Sequence, residues 1–314
     1  MVCRTPMIKN KTTFNGLLFF ALFLTVIATQ KYAYANDAQY PLFKVSKDGV
    51  SFWLVGSMHT GNKEIINDEK LNSIIDAGIG VCLEYNPNDR EGNSKVGKVV
   101  YYNPPNITLE KRLDSDLYKA VSKIFLQLFS SNSDFEDMSP YSVANLLENI
   151  NLYNKVGLDS FTSSQSIDHY IVNRAKTSNI KILGLEKTEE LSERFLAITE
   201  DEWNIYVKGY LEMFFCELCS KNYFGHIRSS YERTPDPEHS YKNLIEAMST
   251  GPKISDIYEK LFFGVRNLNM VKRIQSEVIE KKQCSVVAVG AAHLGGENGI
   301  LNLFNTSGFT FLQE

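Results

Sequence analysis

Two distant segments of the chain repeat one pattern, in which a short apolar run is followed by glycine, two further residues and histidine. Gly56 and His59 occupy these positions in the first segment, and Gly290 and His293 occupy them in the second. The apolar runs predict buried β-strands. A glycine three residues before the histidine would let the backbone turn without a Cβ clash and would leave room beside the imidazole ring. The repeat therefore predicts two equivalent strand ends, each followed by a histidine.

Two other apolar runs each end on a single glutamate, Glu84 in the first half of the chain and Glu186 in the second. Strand ends at the edge of an α/β sheet are where binding sites usually form. Imidazole nitrogen and carboxylate oxygen are suitable ligands for Mn²⁺, Co²⁺, Zn²⁺ or Fe²⁺. The two histidines and two glutamates are thus predicted to form one metal site. The alternative is that each histidine bonds backbone at its strand end and each glutamate pairs with a surface lysine or arginine.

Predicted helices alternate with these strands along the whole chain, which indicates an α/β fold of mixed α+β character. Apolar residues recur at helical spacing in much of 107–180, and Thr199 with Glu202 forms a capping box that opens a helix predicted over 200–222. The remaining predictions are a β-hairpin at 43–55, strands at 80–84, 180–185, 285–289 and 309–312, helices at 64–77, 164–177 and 299–304, one long amphipathic helix that includes Ile257 to Val278, and loops at 86–106 and 225–240.

The first 35 residues have the pattern of a secretory signal peptide. Three basic residues and no acidic residue precede an uncharged apolar run at 16–28, and Ala33-Tyr-Ala35 follows as a cleavage site. A membrane anchor is the alternative, but a full span needs about 20 apolar residues. We therefore predict cleavage after Ala35, a single domain over 36–314 with no stable membrane span, and export from a bacterial cell to the periplasm or beyond.

Removal of the leader changes the charge and the cysteine content of the protein. Four basic residues and no acidic residue are lost with 1–35, so the formal charge changes from −4 to −8. An acidic chain of this kind argues against nucleic acid as a partner. Cys82, Cys216, Cys219 and Cys284 remain, and an exported protein can form disulfides. Cys216 and Cys219 lie within a predicted helix rather than at its start, so we expect buried thiols there and not a redox-active pair.

Six blocks in a fixed order carry a resemblance to a known family. They are 54–59, Glu84 with its strand, 166–170, 184–186, Arg266-Asn267 with Met270, and 289–301. On these residues the mature chain resembles the TraB/GumN family, which includes the Tiki proteins, over nearly its whole length. The resemblance implies a single TraB/GumN-like domain. It would contain two pseudo-repeated β-sheet halves, helices packed around them and a helical insertion.

The resemblance also implies a site built from the paired glycine–histidine motifs and the glutamates. In the Tiki branch it implies metal-dependent hydrolysis of peptides. The bacterial branch has been tied to polysaccharide production and to the shutdown of pheromone signalling. We therefore predict a hydrolase in which His59 and His293, with Glu84, Glu186 or both, bind Mn²⁺, Co²⁺ or Zn²⁺. A glutamate that is not committed to the ion would be the general base for the attacking water.

Three further residues are candidates for supporting the ligands or contacting the substrate, namely Asp168, Arg266 and Asn267. Their alternative role is a buried Asp–Arg pair that holds helices together. The sequence lacks the H-E-x-x-H zinc signature, the G-x-S-x-G nucleophile elbow and a P-loop, so a serine nucleophile or a nucleoside triphosphate has no support. Two other functions stay open. One is a non-catalytic binding protein for a peptide, haem or another small ligand, and the other is an accessory factor in envelope polysaccharide or conjugation processes.

Overall fold

One six-stranded mixed sheet organises the molecule. The structure is a computed structural model that describes residues 40–58, 68–128, 133–155, 166–232 and 234–314. The predicted leader, His59 and the first residues of the helix predicted over 64–77 lie outside the described residues. The strands are β1 Leu42–Lys47, β2 Val50–Ser57, β3 Gly80–Leu83, β4 Lys181–Gly184, β5 Val286–Gly290 and β6 Thr310–Gln313.

The strand order in the sheet is β4-β3-β5-β2-β1-β6. The first four strands in this order run parallel to one another, whereas β1 is antiparallel to both β2 and β6. The two halves predicted from the sequence therefore join in one sheet, since β2 pairs with β5 and β3 lies between β4 and β5. Parallel strands end at the same edge, so the residues that follow β2, β3, β4 and β5 lie near one another. The predicted mixed α/β class is confirmed.

Most of the remaining described residues are helical. The helices are α1 Glu69–Asp76, α2 Arg90–Tyr101, α3 Leu109–Arg112, α4 Ser115–Leu128, α5 Ser133–Glu136, α6 Pro140–Lys155, α7 Ile167–Thr177, α8 Thr188–Leu196, α9 Glu200–Phe215, α10 Glu217–Ser230, α11 Pro237–Thr250, α12 Ser255–Phe262, α13 Gly264–Arg273 and α14 Ile300–Thr306. A π-helical segment, Ile274–Glu280, continues α13, and a 3₁₀ turn, Ala291–His293, follows β5. None of the helices in the described part of the chain is long and apolar enough to span a bilayer.

The buried apolar side chains form two hydrophobic clusters. One covers the sheet and includes Leu54, Val287 and Phe304, which are almost fully buried. The other is formed by the helices that follow β3 and those that precede α13, with Leu147 and Trp203 among its buried residues. A disulfide between Cys82 on β3 and Cys284 just before β5 ties neighbouring strands together within the sheet. The sheet half is thus cross-linked between two neighbouring strands.

Residues 86–106 were predicted to be a loop, and that prediction is wrong over most of its length. Helix α2 begins where the side chain of Asp89 accepts a hydrogen bond from the Gly92 amide. Val96, Val99 and Val100 then recur at helical spacing and pack against the helical cluster. Such an N-cap offsets the unpaired first-turn amides of a helix. The high glycine and asparagine content of the segment obscured a helix that packing stabilises.

The loop predicted over 225–240 is also wrong. Helix α10 extends to Ser230, and α11 begins at Pro237, so the connection is only a few residues long. Pro237 occupies the first turn of α11, where a missing amide hydrogen costs nothing, and Asp236 caps the helix. The prolines therefore marked a helix start.

Two long predicted helices are divided in the structure. The capping box of Thr199 and Glu202 is confirmed, but the helix it opens ends at Phe215 and a second helix begins at Glu217. The apolar stripe from Ile257 to Val278 lies on α12, α13 and the π-helical segment.

Cys216 and Cys219 are half-buried and joined by a disulfide, so the prediction of buried thiols is wrong.

Candidate active site

A cavity of about 590 Å³ opens at the edge of the sheet where the parallel strands end. Residues that end or follow the strands and line this cavity are Ser57, Met58, Glu84, Tyr85, Glu186, Gly290, Ala291, Ala292 and His293. Arg266, on α13, lines it as well. The structure thus brings together three of the four predicted ligands, while His59 lies outside the described residues.

Arg266 lies between the two predicted glutamates and bonds to both. Its Nη2 donates to Glu84 Oε2 at 2.6 Å and to Glu186 Oε2 at 2.8 Å, and its Nε donates to Glu186 Oε1 at 2.7 Å. All three side chains are nearly buried, at 14% exposed for the arginine and 3% and 4% for the carboxylates. Burial alone would lower the pKa of Arg266, but Glu84 and Glu186 raise it above its usual value. The guanidinium therefore stays charged and fixes both carboxylates.

Glu84 has different contacts at its two carboxylate oxygens. Oε2 faces Arg266, whereas Oε1 accepts a hydrogen bond from the backbone amide of Gly290 and lies 3.6 Å from Nε2 of His293. The amide and the imidazole both belong to the segment that ends β5 and begins the 3₁₀ turn. This side of Glu84 therefore meets the second glycine–histidine motif directly.

The orientation of His293 is set by Asn267, the residue after Arg266. Asn267 donates through Nδ2 to the carbonyl of Asn298 at 2.8 Å, which turns its Oδ1 toward His293 Nδ1 at 2.6 Å. An amide oxygen only accepts, so Nδ1 of a neutral His293 carries the hydrogen and Nε2 carries the lone pair. His293 is buried and packs edge-on against Phe263. Nε2, the nitrogen that carries the lone pair in a neutral ring, is the one that lies 3.6 Å from Glu84 Oε1.

Glu186 is enclosed by guanidinium groups. Besides the two bonds from Arg266, its Oε1 accepts a bond from Arg194 Nη2 at 3.2 Å. Burial lowers the pKa of Arg194, and the charge of Glu186 opposes that effect. Both oxygens of Glu186 are thus committed to arginines, which distinguishes this carboxylate from Glu84.

Asp168 lies at the start of α7 and accepts a hydrogen bond from the hydroxyl of Ser57 at 2.6 Å. Arg266 pairs with the two glutamates in the structure. Asp168 instead connects α7 to the end of β2, immediately before Met58 and His59. The bond fixes the last described turn of the first glycine–histidine segment.

The spacing of Glu84 Oε1 and His293 Nε2 is close to that of two ligands of one divalent cation. Two ligand atoms that each lie about 2.1 Å from the same ion at a tetrahedral angle are roughly 3.4 Å apart. The observed separation of Glu84 Oε1 and His293 Nε2 is 3.6 Å. Among the described residues, however, no group of three or more histidine, cysteine, aspartate or glutamate side chains is arranged to hold a metal. The match therefore rests on two donors, and both oxygens of Glu186 are bonded to arginines.

The two glycines of the repeated motif have different structural roles. A Cβ on Gly56 would lie 2.9 Å from side-chain atoms of Leu294 and Pro41, so close packing requires glycine. Gly290 has a φ of −52°, a conformation open to any residue, and contributes its amide to Glu84. The predicted special turn is therefore absent at Gly290.

Sequence reasoning missed two side chains of the cavity region. Arg194 lies on α8, the helix that directly follows Glu186, and no sequence motif pointed to it. Tyr85 directly follows Glu84, lines the cavity and is half exposed. Burial raises the pKa of Tyr85, and the negative charges of Asp168 and Glu84 raise it further. Its position after a strand-ending glutamate was the one signal that could have identified it.

The wall of the cavity away from these charges is apolar. Side chains from α2, α8, α11 and α12 contribute Val96, Val100, Leu191, Leu244, Tyr258 and Phe262. A small number of polar groups beside an apolar wall is typical of a site for a small molecule or a peptide side chain.

The chain matches the TraB/PrgY/gumN family over residues 41–313. The chain belongs to the TraB/PrgY/gumN family. Within this family match lie the two glycine–histidine motifs, both glutamates and Arg266-Asn267. Comparisons with curated proteins and with solved structures gave no match.

Proposed function

We propose that this TraB/PrgY/gumN protein is a metal-dependent hydrolase that cleaves peptide bonds in the cavity at the strand ends. The observation that supports the proposal most is the convergence of Glu84 Oε1 and His293 Nε2 at 3.6 Å. Asn267 supports it further, because it leaves the lone pair of His293 at the nitrogen that faces Glu84. Metal-binding histidines usually have such a partner on their other ring nitrogen.

The residues have distinct roles in this proposal. His293 and Glu84 hold Mn²⁺, Co²⁺ or Zn²⁺, and His59 remains the predicted third ligand. When bound, such an ion supplies a water of lowered pKa and polarises the scissile carbonyl. Because both oxygens of Glu186 are bonded to arginines, Glu84 is also the glutamate assigned to take a proton from the attacking water. Glu186 positions Arg266, and Arg266 in turn orients Glu84.

The apolar wall indicates the substrate class. Val96, Val100, Leu191, Leu244, Tyr258 and Phe262 line the same cavity as the charged cluster. A peptide could place an apolar side chain there and its scissile carbonyl beside Glu84 and His293. The net acidic character of the mature chain disfavours an anionic substrate.

Metal binding is the first test of the proposal. Purified protein is titrated with Mn²⁺, Co²⁺ and Zn²⁺ in a calorimeter, and one ion per chain is expected to bind. His293→Ala should abolish this binding, and Asn267→Ala should weaken it by roughly 10- to 100-fold. His226→Ala is the matched control because His226 does not line the cavity. Unchanged stoichiometry and affinity in His293→Ala would rule out the site.

Hydrolysis is the second test. A library of peptides with apolar residues at varied positions is incubated with metal-loaded protein, and products are identified by mass spectrometry. The proposal predicts cleavage that stops on chelation and returns when the ion is restored. Cleavage that persists in His293→Ala would indicate a contaminating protease.

A non-catalytic binding protein is the second candidate, and the pairing of both glutamates with Arg266 favours it. That pairing satisfies the carboxylates without an ion. A binding protein would retain its peptide or small ligand in Glu84→Gln and would turn over no peptide with any of the three ions.

Export belongs to the proposal as well. We expect a mature N-terminus at Asn36, which N-terminal sequencing of the protein from the source cell would detect. Recovery of an intact N-terminus at Met1 would contradict cleavage.

A further inference from the structure

The Cys216–Cys219 disulfide lies at the N-terminus of a helix, far in sequence from the residues of the proposed active site. Cys216 is the N-cap of α10, and its Sγ accepts a hydrogen bond from the Cys219 amide at 3.2 Å. The amide groups and dipole of a helix N-terminus stabilise a thiolate at this position. Reduction would therefore leave Cys216 as the sulfur whose negative charge the helix favours.

The surface around this disulfide is apolar and exposed. Phe215 precedes Cys216, and Leu218 lies between the two cysteines. These side chains are 71% and 69% exposed, the highest values among the large apolar side chains of the described residues. Phe214 packs edge-on against Phe215 and keeps that ring at the surface. Exposed apolar side chains grouped in this way commonly mark a contact surface for another protein.

The other disulfide lacks both features. Cys82 and Cys284 are buried within the sheet, where no thiolate from another molecule can reach the sulfurs without unfolding. Cys216 and Cys219 are half-buried and only three residues apart in the sequence, so their bond cross-links little of the chain. Loop-closure entropy makes such a short link a weak stabiliser. A stabilising role therefore explains the buried disulfide better than the surface one.

We propose that Cys216 and Cys219 form a thiol–disulfide exchange site that accepts an electron pair from a dithiol of a partner protein docked on Phe215 and Leu218. A partner thiolate attacks Cys216 Sγ, the S–S bond breaks, and Cys219 leaves as a thiolate that takes up a proton. The second partner thiolate then attacks the partner sulfur of the mixed disulfide and releases Cys216. The partner dithiol is oxidised to a disulfide, its two protons are released, and two thiols form on this chain.

The helix N-terminus favours the second step. In the second step the leaving group is Cys216, and a leaving thiolate that is stabilised by its surroundings departs faster. Glu217, between the cysteines, is paired with Lys221 at 2.7 Å, which offsets the negative charge closest to the sulfurs.

Redox titration tests accessibility. Purified protein with both disulfides intact is equilibrated in buffers of increasing reduced to oxidised glutathione, quenched with an alkylating agent, and mapped by peptide mass. Cys216 and Cys219 should become alkylated while Cys82 and Cys284 remain joined. Loss of both disulfides together, or loss of the buried one first, would overturn the proposal.

Trapping tests the exchange itself. Cys219→Ser is mixed with a synthetic peptide disulfide, and a mixed disulfide at Cys216 is expected. Cys216→Ser should form the corresponding adduct roughly tenfold more slowly, because Cys219 lacks the N-cap position. Equal rates for the two variants would show that the helix does not activate Cys216.

The apolar surface has its own control. The variant Phe215→Ser/Leu218→Ser should exchange more slowly with a reduced peptide that carries two cysteines flanked by apolar residues, but at the original rate with glutathione. Equal slowing with both would indicate an altered disulfide rather than a lost docking surface. Circular dichroism of each variant establishes that it folds.

Discussion

Glu84 and Glu186 follow neighbouring parallel strands and share the same local sequence pattern, yet the structure gives them different surroundings. Glu84 meets the Gly290 amide and the His293 ring on one side and Arg266 on the other. The side-chain oxygens of Glu186 accept hydrogen bonds from guanidinium groups, those of Arg266 and Arg194. Identical strand-end patterns therefore give two carboxylates with different chemistry.

The position of each strand in the sheet explains this difference. β3 lies between β4 and β5, so the end of β3 faces the turn that carries His293. β4 is an edge strand, and its end is reached by side chains from helices α8 and α13. The repeat in the sequence gives the residue type at a strand end, and the strand order decides what that residue contacts.

The largest expected effect is on hydrolysis. Under the proposed function, Glu84→Gln should lower kcat/KM by roughly 10²- to 10⁴-fold, because the substitution removes a ligand or general base. Glu186→Gln should lower it less, because this side chain acts only by positioning Arg266. Metal-loaded variants are compared on one peptide substrate. A loss in Glu186→Gln that equals or exceeds the loss in Glu84→Gln would reverse the assignment.

The strands that carry Glu84, Glu186 and the glycine–histidine motifs were largely predictable from the sequence. The strands before Glu84 and Glu186, the hairpin of β1 and β2 and the strand before Gly290 were predicted within one or two residues, because their apolar runs are short and clearly bounded. His293 and the two glutamates were placed at strand ends for the same reason, and the structure brings these three together.

The contacts of those residues were not predictable, because they depend on strand order and helix placement. Arg266 was a candidate for pairing with Asp168, but nothing in its sequence neighbourhood points to two glutamates 182 and 80 residues away. Cys82 and Cys284 pair because β3 lies beside β5, a fact that their separation of 202 residues conceals. Helix α2 was not predicted, because the glycine and asparagine content of its segment indicated a loop and its apolar stripe is weak. Packing against the helical cluster stabilises the helix.

The next largest effect concerns stability. Arg266→Leu leaves two buried carboxylates without their shared cation, which should destabilise the protein by about 3–5 kcal/mol. Urea denaturation followed by circular dichroism measures the change. Arg228→Leu is the control, since Arg228 is exposed on α10 and its loss should change stability by less than about 0.5 kcal/mol.

A double-mutant cycle separates the two carboxylates in this effect. Glu84→Gln and Glu186→Gln are each combined with Arg266→Leu, and each combination should cost less than the sum of its single changes. The coupling should be larger for Glu186, which receives two bonds from Arg266, than for Glu84, which receives one. Equal coupling would mean that the number of bonds does not distinguish the glutamates.

A smaller effect is expected at Arg194. This residue donates one bond to Glu186, which keeps both of its bonds from Arg266. Arg194→Leu should therefore destabilise the protein by about 1.5 kcal/mol, the value for a hydrogen bond to a charged group. The same urea experiment measures it. A cost as large as that of Arg266→Leu would place the main counter-charge of Glu186 on Arg194.

The smallest effect is a pKa shift at Tyr85. It tests whether Glu84 and Glu186 differ in their electrostatic effect on this residue. Burial, Asp168 and Glu84 raise the pKa of Tyr85 above 10.0. Glu84→Gln removes one of these negative charges and should lower the pKa toward that value, whereas Glu186→Gln should leave it unchanged. Ultraviolet titration of phenolate, as a difference from the same variant carrying Tyr85→Phe, isolates this residue from the other tyrosines.

The sign of the accompanying change in stability follows from proton linkage. Because the folded protein holds the Tyr85 proton more tightly than the unfolded chain, the stability from this residue is complete below pH 10 and declines as the pH rises through the folded-state pKa. Glu84→Gln should show a smaller decline over this range than Glu186→Gln or the unaltered protein, after subtraction of the matching Tyr85→Phe curves. Equal declines in all three would mean that Tyr85 does not sense the charge of Glu84, and the electrostatic distinction between the two strand ends would then be confined to their direct contacts.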